Sequence, residues 1–285
     1  MYFFTRIAVV SISAILLSSP SNPQTVFKDA GAAQSDIADT VNAFREALGP
    51  ENGGAPANGD PDGLREIDWD DIPNTVADPN PIPGDFFNSN ENPTALGIEF
   101  EATGTTDSFF VSANPNTGIE TSFGFPTNLV PFSDFRMFTP GNGNTFDINF
   151  FNPADQTELA LSAGIGFVFL DVEFVDQTQV TLFNREGKEI FSDFAEVTES
   201  AGFSFLGALF ETPQISSASI TLGSAFFTAN NVAFTSLIEP VGDAVVVDNV
   251  IFGEPIPISA VPLPGGFWML LAGLAIGVNL RKRAL

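Results

Sequence analysis

Apolar and polar residues alternate in short runs over much of this 285-residue chain. In the run SASITLG, Ala218, Ile220 and Leu222 alternate with Ser and Thr, which is the pattern of a strand with one buried face. The run QVTLFNREGKEIF indicates two strands joined by a turn at residues 184–187. Many such strands, separated by turn residues, predict a mainly β fold, a jelly-roll-like antiparallel β-sandwich over residues 96–258.

The clearest helix is predicted ahead of these strands, from Ser35 to Leu48. Its apolar residues recur on one face at helical spacing: Ile37, Val41, Phe44 and Leu48. Ser35 or Asp36 is a suitable N-terminal cap, and Gly49 ends the helix. The following chain is rich in Pro, Gly, Asn and Asp, which resist regular structure. We therefore expect residues 24–95 to form a helix and an extended segment that pack on the sandwich.

The chain is strongly acidic, with 35 Asp and Glu against 10 Lys and Arg and a formal net charge of −25. Nucleic acid is not an expected partner, because phosphate contacts need clustered basic residues. The chain also has no Cys and no His, which excludes disulfides, Cys/His zinc sites and His-dependent nucleophiles. Carboxylates, hydroxyls, amides and a few basic residues are left for chemistry.

The N-terminus has the pattern of a secretory signal peptide. Arg6 precedes an apolar run from Ile7 to Leu17, and small and turn-forming residues follow that run. A basic start, a short apolar core and a small-residue exit are typical of a cleaved signal helix, which we assign to residues 1–23. The alternative is a buried N-terminal strand.

The C-terminus pairs a short apolar run, Phe267 to Leu280, with a basic end. A motif precedes the run: Val261, Pro262, Leu263, Pro264 and Gly265. A basic stop follows it: Arg281, Lys282 and Arg283. A basic cluster after an apolar helix holds that end in the cytoplasm, so the acidic interior would face outward. These features predict a transmembrane sorting helix in residues 261–285, and the alternative is a C-terminal helix of the core.

This tail resembles the PEP-CTERM sorting signals in their VPLPA-like form, with Gly265 where Ala is usual. The resemblance implies that an exosortase-type membrane protease recognises the tail and removes it. It also implies export by a bacterium that makes an extracellular polymer. The protein would be anchored transiently in the inner membrane by its C-terminal helix and then released to the cell surface or extracellular matrix.

Asp248 is the most informative carboxylate of the interior. In the run AVVVDNVIFGEP, it shares one strand face with Val246, Val250 and Phe252. A carboxylate among core-facing residues needs a partner, and Ca²⁺ suits a chain that is poor in Lys and Arg. The VDNV strand also resembles the last strand of jelly-roll carbohydrate-binding modules, which implies a structural Ca²⁺ at Asp248. The alternative is a carboxylate at the sheet rim, hydrogen-bonded to backbone amides.

The run GIGFVFLDVEFV offers a weaker calcium candidate. It begins apolar on both faces, which predicts a strand in the centre of the sandwich. Four of its residues are expected on one face of that strand: Phe167, Phe169, Asp171 and Glu173. Asp171 and Glu173 would then be metal-ligand candidates at the end of a core strand.

The run REIDWDDIP gathers four acids around Trp69 and permits three interpretations. Glu66 and Asp68 could be a glycosidase acid pair beside a sugar-stacking Trp. The acids could instead bind a cation. The favoured interpretation is an anchor, in which Ile67 and Trp69 pack on the sandwich. Alternation then places Asp71 on the same face as Ile67 and Trp69. The other face, which sees solvent or metal, takes Glu66, Asp68, Asp70 and Ile72.

The function expected from these observations is non-catalytic. Blocks such as FREALG, LREIDWDDIP and VVVDNVIFGEP are similar to blocks in exported PEP-CTERM proteins of unknown activity. That similarity covers most of residues 43–264 and implies location and architecture, not a reaction. We expect a cell-surface or matrix protein whose sandwich binds polysaccharide or Ca²⁺, or serves as an acidic coat. The alternative is a carboxylate-dependent glycoside hydrolase or lyase acting on extracellular polysaccharide.

Overall fold

The computed structural model describes residues 24–52, 60–89, 95–113, 129–228, 234–236 and 242–259. In chain order, the elements are β1 (Gln24–Gly31), α1 (Gln34–Leu48), β2 (Leu64–Ile67), β3 (Ile98–Ala102), β4 (Ser108–Val111), β5 (Phe138–Gly141), β6 (Thr145–Asn152), β7 (Asp155–Leu161), β8 (Gly164–Leu170), β9 (Gln179–Phe183), β10 (Glu189–Phe194), β11 (Phe203–Phe210), β12 (Ser217–Thr221), β13 (Ala225–Phe227), β14 (Phe234–Ser236), β15 (Val246–Gly253) and β16 (Ile256–Pro257). Short 3₁₀ turns lie at Asn74–Val76 and Phe86–Asn88.

The strands form two sheets, as expected for a mainly β sandwich, and one sheet is curled into a half-barrel. The first sheet has the order β1-β11-β8-β15-β5-β13-β14, with β2 paired to β15 and β4 paired to β5. The second has the order β10-β9-β12-β6-β7-β16, with β3 paired to β6. The named strand pairs are antiparallel, apart from the single pairing of β13 with β5.

Two apolar cores cover the two faces of the first sheet. The inter-sheet core lies between the sheets and takes Phe167 and Phe169 of β8 together with Ile220 of β12. The helix-side core lies under α1 and takes Val168 and Leu170 of β8. Strand β8 is therefore buried on both faces, which explains its continuous apolar sequence and confirms its central position.

Helix α1 is confirmed, and its predicted apolar face is buried: Ile37, Val41, Phe44 and Leu48. It begins one residue earlier than expected, with Ala33 as its N-cap. Asp36 contributes by accepting the Ala33 N–H at 2.9 Å. Phe44 reaches the sheet over two paired glycines, Gly166 and Gly207. A Cβ atom at Gly166 would lie 2.8 Å from the Phe44 ring, so this close approach needs glycine.

The hairpin and the alternating strand are also confirmed. Strands β9 and β10 pair on either side of the turn at residues 184–187, where the Asn184 carbonyl accepts the Gly187 N–H at 2.8 Å. In β12, Ala218 and Ile220 are buried as their alternation predicts. Strands β1 and β2 belong to the first sheet, so residues 24–95 supply strands to the sandwich as well as packing on it.

Residues 1–23 and 261–285, to which we assign the signal peptide and the sorting tail, lie outside the described residues. Of the helices within the described ranges, none combines the length and apolar character that crossing a membrane requires.

A buried ion pair fixes β2 to the end of β15. The side chain of Arg65 is 0% exposed, and Glu254 is 8% exposed. Two hydrogen bonds join them, from Nε to Oε2 at 2.7 Å and from Nη2 to Oε1 at 2.8 Å. Asn52 also donates to the Glu254 carboxylate at 2.7 Å. The pair therefore connects the loop after α1, β2 and β15 at one point.

Replacing Glu254 with Gln should lower the free energy of unfolding by about 3 kcal/mol, because a buried guanidinium loses the negative charge opposite it. Urea denaturation of the full chain, followed by circular dichroism, measures the change. The matched control is Glu186→Gln, which removes the exposed partner of Arg185 and should leave stability nearly unchanged. Equal losses in the two variants would contradict the structural role of the buried pair.

Candidate functional site

Trp69 is an anchor in the sandwich and is inaccessible to a ligand. Strand β2 ends at Ile67, and Trp69 follows in the left-handed backbone region with φ 66°. Its side chain is 2% exposed and stacks on Phe138 at a centroid distance of 4.4 Å. Its Nε1 donates to the Asp248 carbonyl. The predicted anchor is confirmed, because both the ring face and the polar edge of Trp69 are used inside the protein.

The alternation predicted around Trp69 holds from Glu66 to Asp70, where Ile67 and Trp69 are the buried residues, and it fails at the next two residues. The turn at Trp69 breaks the strand, and Ile72, expected on the exposed face, is buried. Glu66 pairs with Arg45, whose Nη2 lies 2.6 Å from Oε1, and it also accepts from Asn249 at 2.6 Å. Asp70 accepts three backbone N–H groups, from Asp134, Phe135 and Arg136 at 2.8–2.9 Å. The carboxylates of Glu66 and Asp70 are therefore both engaged, by an ion pair and by hydrogen bonds, within the protein.

Asp68 is less tightly bonded than the nearby acids Glu66 and Asp70. One of its carboxylate oxygens accepts the Asp70 N–H at 3.1 Å. Partial burial raises the pKa of Asp68, and the nearby charges of Asp70 and Glu66 raise it further, against the lowering effect of that hydrogen bond. A carboxyl with a raised pKa is a candidate proton donor. Its expected partner Glu66, however, is held in the ion pair with Arg45.

Asp248 is fully buried in the middle of β15, away from the sheet rim. The Phe132 N–H donates to Oδ2 at 2.5 Å, and the Ser133 N–H donates to Oδ1 at 3.1 Å. Hydrogen bonding to backbone amides is thus confirmed, whereas the expected rim position is wrong. Burial raises the pKa of Asp248 to about 7, despite these two bonds.

The strand face predicted around Asp248 is also wrong. The register of β15 on β8 shifts between Val247 and Val250, which marks a β-bulge. Val246 lies in the helix-side core, whereas Val250 and Phe252 lie in the inter-sheet core. Because the bulge adds one residue to the strand, even-numbered side chains point to the helix-side core before it and to the inter-sheet core after it. Period-two reasoning cannot detect such a reversal, because it assumes an uninterrupted pleat.

Three acids meet where β8 ends and β15 begins, and we call them the acidic cluster: Asp171, Glu173 and Asp243. One carboxylate oxygen from each lies within 4.8 Å of the other two. Strand β8 ends at Leu170, and Asp171 turns the chain with φ 70°, so the continuous face expected through Glu173 is wrong. The structure nevertheless brings both predicted candidates together and adds Asp243.

Asp243 is the buried member of this cluster, with 0% exposure. Its Oδ2 accepts the N–H groups of Glu173 at 3.1 Å and Phe174 at 3.3 Å. Burial raises the pKa of Asp243 to about 7, and the negative charges of Asp171 and Glu173 add to this effect. The sequence signal for Asp243 was an acid directly before the apolar run AVVV. It mirrors Asp171, which directly follows the apolar run of β8.

An open groove of about 750 Å³ lies where a proline-containing segment meets β3 and β4. Its lining residues are Pro81–Asp85, Glu99–Ala102, Asp107–Phe109, Asn149 and Phe151. They include four carboxylates, the amide of Asn149 and a half-buried phenyl ring at Phe151, but no basic side chain. Such a surface can accept hydrogen bonds from hydroxyl groups and would repel anions.

No protein-family model and no curated protein matches this chain.

The raised pKa of Asp248 predicts a specific pH dependence of stability. The folded chain keeps this proton up to about pH 7, whereas the unfolded carboxyl loses it near its usual value of 3.8. Stability from this group is therefore present below pH 4 and is lost as the pH rises to 7. The free energy of unfolding of the wild type minus that of Asp248→Asn should fall by about 4 kcal/mol over this range.

Urea denaturation of both proteins at several pH values between 4 and 8 measures this difference. Other carboxyls titrate alike in the two proteins, so subtraction isolates Asp248. A difference that stays constant with pH would show that the carboxyl at Asp248 is charged in the folded protein.

Proposed function

We propose that this chain is a non-catalytic exported protein of the cell surface or extracellular matrix, whose sandwich binds a neutral polysaccharide. Its terminal sequences support export: the signal pattern of residues 1–23, the motif Val261–Gly265, and the basic stop Arg281–Arg283. In this proposal, an exosortase-type protease recognises the tail after transient anchoring in the inner membrane. In this proposal the strands have a jelly-roll-like arrangement, which the two-sheet architecture supports.

The burial of Trp69 carries the non-catalytic part of the proposal. Carbohydrate-cleaving enzymes use exposed aromatic rings to hold sugars and a free pair of carboxyl groups to cleave the bond. In this chain, the ring of Trp69 is stacked on Phe138 inside the core. Glu66, one of the two candidate acids, is bonded to Arg45 and Asn249. Two of the three residues that could have formed a glycosidase site, Trp69 and Glu66, are used to assemble the fold.

The open groove supports polysaccharide binding and indicates the class of sugar. Glu101 and Asn149 lie side by side there, joined by a hydrogen bond of 3.2 Å, and both can bond to sugar hydroxyls. Phe151 offers part of a ring for stacking against a sugar face. Because the charged groups of the lining are all acidic, the groove favours neutral over anionic sugars.

Deleting residues 261–285 should leave the protein unsorted in a producing cell, either retained in the periplasm or released without processing. Fractionation and immunoblotting of the envelope and medium measure the location and the size of the product. As a control, replacing the tail with an unrelated apolar helix and basic end should retain membrane anchoring without cleavage. Unchanged location and size after deletion would contradict the sorting role of the tail.

The full chain in mild detergent should bind neutral oligosaccharides on a glycan array and should bind acidic ones poorly. Phe151→Ala should weaken the binding by about tenfold, because an aromatic contact contributes about 1 kcal/mol beyond its buried area. Phe183→Ala is a matched control, since Phe183 is a half-buried ring of the same sheet outside the groove. Binding that is absent, or equal in both variants, would contradict the groove as the sugar site.

The same preparation distinguishes binding from catalysis. Cleavage of a bound oligosaccharide, abolished in Glu66→Gln and Asp68→Asn, would overturn the non-catalytic proposal.

A further inference from the structure

We propose that the acidic cluster is a Ca²⁺ site that joins the end of β8 to the start of β15. Its ligands are the carboxylates of Asp171, Glu173 and Asp243. This site shares no residue with the groove proposed to bind sugar. It is also distinct from the calcium expected at Asp248, whose two carboxylate oxygens each accept a backbone hydrogen bond.

The pairing of two central strands creates the cluster. Strands β8 and β15 are antiparallel neighbours, with Leu170 opposite Val246. Continuing that register past the strand ends brings Glu173 opposite Asp243. The observed hydrogen bond from the Glu173 N–H to the Asp243 carboxylate agrees with this position. The acids therefore converge because carboxylates follow the last residue of β8 and precede the first residue of β15, and these two strand ends are neighbours.

The spacing suits Ca²⁺. The three oxygens lie within 4.8 Å of one another. Oxygens on opposite sides of one Ca²⁺ ion are about 4.6–5.2 Å apart, since each Ca–O distance is about 2.3–2.6 Å. Mg²⁺ requires a nearly ideal octahedron and dehydrates reluctantly, so a site of several protein carboxylates suits the more flexible coordination of Ca²⁺ better. Water can complete the coordination from the side of Glu173, which is in contact with solvent.

A second observation is independent of the clustering of acids. Oδ1 of Asp243 is buried and has no hydrogen-bond partner within the described part of the chain. Its side chain is 0% exposed, and the two backbone donors are both bonded to the other oxygen, Oδ2. Burying an unpaired carboxylate oxygen is unfavourable, so this atom calls for a ligand. The carboxylates of Asp171 and Glu173 are acceptors when ionised, so a cation is a suitable group to bind all three acids once Asp243 has lost its proton.

The protein supplies little positive charge of its own for this purpose. The ion pairs in the described ranges involve other acids: Asp193, Glu66, Glu254 and Glu186. With 35 acids and 10 bases in the chain, a bound divalent ion is the available counter-charge for three converging carboxylates.

The ligand positions are fixed before an ion binds. The Ala201 N–H donates to Asp171 Oδ1 at 2.5 Å. Two hydrogen bonds hold the backbone of Asp243 to Ser224. The Asp243 N–H donates to Ser224 Oγ at 3.1 Å, and the Ser224 N–H donates to the Asp243 carbonyl at 2.8 Å. Such supporting bonds orient the ligands of a metal site. Three carboxylates completed by water resemble the weaker sites of extracellular modules, with a dissociation constant of about 10⁻⁴–10⁻³ M.

The test uses the full chain in mild detergent, stripped with EDTA and exchanged into chelator-free buffer at pH 7.5. Adding 5 mM CaCl₂, about 5–50 times the expected dissociation constant, should raise the melting temperature by about 3–8 °C. Calorimetric titration with CaCl₂ should give one ion per chain. The same concentration of MgCl₂ should give a clearly smaller shift.

Asp243→Asn should abolish the calcium-induced shift and, without calcium, should melt at or above the wild-type temperature. The variant keeps an oxygen for the two backbone donors, and its new amide can donate to the neighbouring carboxylates. A merely structural carboxylate would instead give a lower melting temperature. Asp171→Asn is the second variant in case the first does not fold, because Asn tolerates the left-handed backbone of this position. It should weaken calcium binding at least tenfold.

Asp248→Asn is the matched control, since Asp248 is also buried, accepts two backbone N–H groups and has a raised pKa, but lies outside the cluster. It should keep the full calcium response. Three results would overturn the proposal: no shift of the wild type with CaCl₂, an unchanged shift in the Asp243 and Asp171 variants, or loss of the response in the Asp248 variant alone.

Discussion

Hydrogen bonding of buried and half-buried carboxylates to backbone N–H groups is the interaction on which this structure depends. The chain has 35 acidic residues and few basic ones, so most acids cannot be neutralised by a salt bridge. Asp70 accepts three backbone N–H groups, and Asp248 and Asp243 accept two each. Each carboxylate thereby fixes a loop that has no regular structure of its own. The acids are part of the framework as well as a source of negative charge.

The bonds of Asp248 and Asp243 lie in β15 or directly before it, and β15 is buried on both faces. Asp248 lies at the bulge of this otherwise apolar strand. Its carboxylate accepts hydrogen bonds from Phe132 and Ser133 and so holds their loop in place. The carbonyl of the same residue accepts the Trp69 Nε1, which attaches the turn after β2. At the start of the strand, Asp243 holds the connection that follows β8. This strand and the residues just before it thus organise three surface segments, and the carboxyls of Asp243 and Asp248 both have pKa values raised to about 7 by burial.

Much of the architecture follows from local patterns, and the errors have local causes. The face of α1, the hairpin of β9 and β10, and the double burial of β8 were predicted because each pattern lies within one short run. The faces around Asp248 and at Asp71 and Ile72 were predicted wrongly, because a bulge in β15 and a left-handed turn at Trp69 interrupt the pleat. Both interruptions are fixed by bonds to distant residues. The sequence indicated Asp171 and Glu173 but gave no reason to join them to Asp243, which lies 70 residues beyond Glu173.

The sequence by itself determined the mainly β class, the amphipathic helix α1, the excess of acids over bases and the signal-like ends on which the export proposal rests. These properties depend on composition and on periodicities within a few residues. The tertiary structure decided which strands are neighbours, which acids lose contact with water and which three of them meet. A carboxylate in solution and a carboxylate in a core have the same sequence signature. Only the surrounding chain decides whether water, a backbone amide or a cation satisfies it.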